Sequence, residues 1–121
     1  MSVEKFPATY IMASRYRGTM YTGVTSNLWQ RVWDHKNSRF KGFTDDYNIK
    51  TLVWYEHHHE MEDAILREKQ IKKWNRPWKF RMIEEINKDW QDLHEHIDLI
   101  ATLVQNKAAP PGLRGGDGFR G

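Results

Sequence analysis

Five side chains in the first two-thirds of the sequence carry more chemistry than packing requires: Tyr10, Tyr21, Arg31, His35 and Glu68. Arg31 and His35 lie four positions apart in LWQRVWDHK, so on a helix the guanidinium and the imidazole share one face. Glu68 follows Met61 by seven positions and Ile65 by three, inside a stripe of Met61, Ala64, Ile65 and Ile71. A carboxylate there costs free energy unless something pairs with it. Tyr10 falls mid-strand and Tyr21 leads a second strand, with Gly23 leaving room for a backbone or ligand to come close. Together they supply a carboxylate for a metal, a guanidinium for a phosphate and two or three groups able to relay a proton. Those are the parts of a phosphodiester hydrolase. Taken singly, each has a plainer reading: a core tyrosine, an Arg31–Asp34 ion pair, a surface histidine.

The elements that must position them follow from local pattern. Ala8–Ala13 is short, apolar and β-prone, Arg15 to Thr19 is a hairpin loop, and Met20–Thr25 returns as a second strand. Ser26 or Asn27 caps the next helix, in which Leu28 and Val32, with Trp29 or Trp33, face a core. Residues 37–48, rich in Gly, Ser, Asp and Asn, make a loop, and TLVWYE (51–56) is the strongest strand. Helices are expected over Met61–Lys73, from near Trp78 to about Asn87 after an interruption at Pro77, and from about Leu93 to Gln105. The Pro/Gly-rich stretch 107–121 is expected to be disordered, leaving a domain over 1–106. A small three-stranded sheet flanked by helices results, an α/β (α+β) fold whose first strand pair is antiparallel because its connection is short.

With 121 residues the chain builds one core, and no apolar run approaches a bilayer's thickness. The absence of cysteine and of a leader-like N-terminus fits a cytoplasmic protein. The net charge of +3 is unevenly distributed. Residues 67–81 hold seven Lys or Arg against Glu68 alone, whereas residues 82–106 hold six acids against one lysine. Lys69, Lys72, Lys73, Arg76 and Lys79, interleaved with Trp74, Trp78 and Phe80, form the pattern expected of a nucleic-acid-binding surface. A solvated helix face with local ion pairs is the alternative. His57-His58-His59-Glu60 reads as a strand end running into a helix cap, since consecutive strand residues point to opposite sides. Trp74, Trp78 and Trp90 are expected to pack in the core rather than stack on bases.

The order and spacing of the five residues resemble the GIY-YIG endonuclease family. Ala8-Thr9-Tyr10 stands where the first triplet belongs and Tyr21-Thr22-Gly23 where the second does, the tyrosines eleven positions apart. Arg31 follows Tyr21 by ten, His35 comes one turn later, and Glu68 lies on the following helix. The stretches MYTGVTSNLWQRVWDHK and REKQIKKWNRPWKFRMIEEINKDW look most like the short, single-domain bacterial members, and the resemblance spans about residues 6–92.

The resemblance implies a three-stranded antiparallel sheet and a metal-dependent DNA endonuclease. Tyr10, or Tyr21 with it, would help deprotonate the attacking water. Arg31 would bind the scissile phosphate, and His35 would hydrogen-bond within the tyrosine network. Glu68 would hold one Mg2+ or Mn2+. Many members carry an asparagine twelve residues after the glutamate, where this sequence has Phe80. An alternative reading is therefore a module that binds nucleic acid without cleaving it. A protein partner or a second copy of the chain is compatible with the apolar face of the last helix (Leu93, Ile97, Ile100, Val104).

Overall fold

The computed structural model describes residues 6–39 and 41–97; the 107–121 stretch and most of the last expected helix lie outside them. The elements run β1 (Ala8–Ala13), β2 (Met20–Thr25), α1 (Leu28–Lys36), α2 (Phe43–Asp46), β3 (Thr51–His57), α3 (Met61–Lys72) and α4 (Arg76–Ile86). Residues 94–97 are again helical. The three-stranded sheet has the order β2-β1-β3, with both pairings antiparallel.

Central β1 is buried along its whole length, which its uninterrupted ATYIMA sequence suits. Its alternating side chains serve two cores. Ala8, Tyr10 and Met12 pack with Leu28 and Val32 of α1 and with Leu52 and Ile97. Ile11 and Ala13 pack with Ile71 of α3, Ile83 of α4 and Trp90. The sheet is thus covered by α1 on one face and by α3 and α4 on the other. The β1–β3 register shifts between Ile11 and Met12, a bulge in the ladder.

The hairpin closes as its loop sequence requires. Ser14 N–H donates to the Thr19 carbonyl at 2.9 Å, Gly18 N–H donates to the Arg15 carbonyl at 2.8 Å, and Arg17 takes φ 52°. Asn27 rather than Ser26 caps α1, its side chain accepting from Gln30 N–H. Two expectations change. Residues 37–48 contain the short helix α2, entered through Gly42 at φ 114°, a backbone shape that glycine adopts without strain. Helix α4 begins at Arg76, not near Trp78: Asn75 accepts from Trp78 N–H at 3.0 Å, and Pro77 falls in the first turn, where a missing N–H costs nothing. His57-His58-His59-Glu60 ends β3 and provides the N-cap of α3. No described helix is long and apolar enough to cross a membrane.

Candidate active site

Tyr10 and Gly23 face each other across the β1–β2 ladder. A Cβ at Gly23 would come within 2.7 Å of the Tyr10 hydroxyl and 2.9 Å of Tyr21 Cε2, so the glycine is what allows the two rings to sit together. Their centroids are 6.2 Å apart, and that of His35 lies 6.1 Å from Tyr10 and 5.6 Å from Tyr21. The close approach expected at Gly23 is therefore made by the protein's own aromatic cluster.

Tyr10 is 1% exposed, and its hydroxyl lies 3.2 Å from His35 Nε2. Burial first, then Tyr21, pushes the phenol's pKa upward, with Glu68 adding to the rise. The charge and hydrogen bond of Arg31 oppose these effects without cancelling them. Tyr10 is thus a protonated donor rather than a ready base, and Tyr21 is the more accessible of the two phenols. His35 moves the other way: burial first, then the charge of Arg31, lowers its pKa. Its other nitrogen, Nδ1, lies 3.2 Å from Thr44 Oγ1 on α2. Thr44 escaped the sequence reading, and its only sequence signal is a hydroxyl within a segment otherwise suited to a loop.

Arg31 sits one turn before His35 on α1 and acts on both Tyr10 and His35. Glu68 on α3 lies within electrostatic reach of Tyr10, its side chain 15% exposed. Its partner is Lys72 at 2.8 Å, which answers why a carboxylate is tolerated on that stripe. The five expected residues are thus grouped around one end of β1 and β2.

Among the described residues no group of three or more His, Cys, Asp or Glu is arranged to hold a metal. The chain offers an ion one oxygen-donating carboxylate and no thiolate, a donor set suited to a hard cation that keeps its waters and completes its shell on a substrate phosphate. Glu68 fits that requirement.

The basic residues divide. Burial first, then Arg76 and Lys72, lowers the pKa of Lys79, so these three cations converge near the α3–α4 junction. Lys69 and Lys73 are exposed on α3. Arg76 also has structural work: its Nη2 donates to the Arg17 and Gly18 carbonyls at 3.0 and 3.2 Å, pinning the hairpin loop. Phe80 packs between the Arg17 and Arg76 guanidinium groups, each 5.0 Å from its ring centre, and edge-on to Trp90. Trp90 is core, as expected, and Trp74 is half-buried, but Trp78 is 54% exposed and so departs from the expectation of packing.

A family model described as the GIY-YIG catalytic domain matches residues 6–84. The UPF0213 protein of Staphylococcus haemolyticus is 33% identical over 67 residues, 55% of this chain and 82% of that one. A UPF0213 protein of Staphylococcus epidermidis is 32% identical over 68 residues (56% and 83%), and one of Bacillus pumilus 28% over 79 residues (65% and 81%). No solved structure matches the chain significantly.

Proposed function

Because the chain belongs to the GIY-YIG family, whose domain is of nuclease type, we propose that it is a metal-dependent endonuclease hydrolysing phosphodiester bonds in DNA. The observation carrying this reading is the grouping of Tyr10, Tyr21, His35 and Arg31 with a half-buried carboxylate in reach.

Arg31 binds the scissile phosphate and offsets the charge that grows on it as water attacks. Tyr21, the more accessible phenol, orients that water in line with the bond to be broken. The water's proton passes to the tyrosine–histidine group, in which neutral His35 is the basic member. Tyr10 and Thr44 hold the imidazole by its two nitrogens, acting as positioning residues. Glu68 would hold the divalent ion, Mg2+ or Mn2+, which supplies charge neutralisation at the phosphate and leaving oxygen. Lys72 and Lys79, with exposed Lys69 and Lys73, draw in the phosphate backbone, while Arg76 contributes charge from a fixed position. Phe80 favours a second reading, a binding module without cleavage, because it commits its position to packing.

The test is cleavage of labelled duplex, single-stranded and branched DNA and structured RNA at low salt with Mg2+ or Mn2+. Wild type is compared with Glu68→Gln and Arg31→Ala. Wild-type cleavage that each substitution lowers about a hundredfold or more supports the enzyme. Salt-sensitive binding with no cleavage under either metal supports the module.

A further inference from the structure

Away from Ile83, α4 presents a face that only Met82 ties to the core and that the grouped tyrosines do not use. Trp78, Arg81, Met82 and Glu85 follow one another at helical spacing and, with Arg67 from α3 and Trp74 from the α3–α4 connection, line an open cleft of about 330 Å³. That volume is at the small end of ligand-sized clefts. Its floor is built: the Arg67 guanidinium lies 5.6 Å from the Trp74 ring centre and 5.9 Å from that of Trp54, and its Nε donates to Glu56 at 3.0 Å. Trp78 stands at 5.9 Å and 70° to Trp74 and is one of the exposed large hydrophobic side chains. Exposed Arg81 makes no ion pair among the described residues.

We propose that this cleft is a subsite for an unpaired nucleotide, its base stacked on Trp78 and its phosphate against Arg81. Charge and continuity argue for this occupant. The cleft-lining residues Trp74, Trp78 and Arg81 alternate in sequence with Lys72, Lys73, Arg76 and Lys79, of which Lys72, Arg76 and Lys79 act electrostatically on one another. An exposed tryptophan and an exposed arginine lining one cleft offer the stacking and phosphate contacts that sequence-tolerant single-strand binding uses. The inference deepens the proposed function by giving the enzyme a preference for DNA with a single-stranded segment. It rests on that reading for its ligand but not for its chemistry.

The experiment is fluorescence anisotropy of a labelled oligothymidine about twelve nucleotides long, within the range a single-strand site spans. The same strand with abasic positions is run in parallel. Wild type, Trp78→Ala, Trp78→Phe and Arg81→Ala are compared, all checked by thermal unfolding. Trp78→Ala is expected to weaken binding about tenfold, with Trp78→Phe restoring most of it. Abasic positions are expected to weaken binding by wild type but not by Trp78→Ala. Equal affinity of wild type and Trp78→Ala, or equal sensitivity of both to abasic positions, overturns the subsite. Failure of wild type to bind the strand also overturns it. Metal-dependent cleavage of duplex reports separately on the nuclease reading, so the two can fail independently.

Discussion

The Tyr10 hydroxyl lies 3.2 Å from His35 Nε2, and the opposite nitrogen of the same ring lies 3.2 Å from Thr44 Oγ1. The two pKa directions orient this chain. Tyr10 stays protonated and donates, whereas His35 is neutral and offers one acceptor and one donor. One imidazole nitrogen thus donates and the other accepts, with the Tyr10 and Thr44 hydroxyls as their partners. Replacing Thr44 with Val removes this hydrogen bond from a buried imidazole. A loss of about 1–3 kcal/mol is expected in chemical denaturation, with Thr44→Ser close to wild type.

His35 also sets a pH dependence of stability. Its folded pKa is below the ordinary 6.5, so the unfolded chain takes up the proton first as pH falls. Its contribution is complete above pH 6.5 and is lost as pH falls from there to the lowered folded value. Unfolding free energies measured across that window should decline in wild type and decline less in His35→Gln. Equal slopes would remove His35 as the source.

Arg31 lowers the His35 pKa from one helical turn away. Arg31→Ala should therefore raise it, as read from the imidazole resonances in an NMR titration. An unchanged midpoint would show that the two side chains do not act on each other in solution.

Gly23 tests the aromatic cluster by volume alone. In Gly23→Ala the added methyl meets the Tyr10 hydroxyl and ring carbon at 2.7 and 2.8 Å, neither at the end of a flexible chain. Overpacking of this kind costs about 1–3 kcal/mol. Cleavage is expected to fall further than the lost folded population explains, because both tyrosines must shift.

Glu84 governs the acid limb. The Arg17 hydrogen bonds first, then that of Trp90 Nε1–H, hold its pKa down to about 2. A lowered carboxylate stabilises above its unfolded value, here 4.5, and that contribution is lost as pH falls toward about 2. Glu84→Gln should flatten this part of the stability profile.

The strands and the shared helix face of Arg31 and His35 were legible in the sequence for the same reason: each depends on residues near one another in the chain. The hairpin loop with its flanking strands, and the four-residue step from Arg31 to His35, are local patterns. Thr44 was not legible, because only folding α2 against the end of α1 brings its hydroxyl to the imidazole. Arg76 read as surface charge, since nothing local reveals that the hairpin, almost sixty residues earlier, presents carbonyls to it. Trp78 misled in the opposite direction. Aromatic density predicts core, but Asn75 and Pro77 start the helix in a phase that leaves this one ring outside.

Beyond the span shared with relatives, the chain still contributes to the core. The family match ends at residue 84, yet Trp90 is 4% exposed, Leu93 N–H donates to the Leu52 carbonyl, and Ile97 closes the core over β1 and α1. Asp92 fastens this segment by accepting from Lys36 and from Leu52 N–H. The packed unit of this chain therefore extends past the span that the family model matches. A fragment cut at the family boundary would keep every residue proposed for chemistry and lose the clasp that holds them in register.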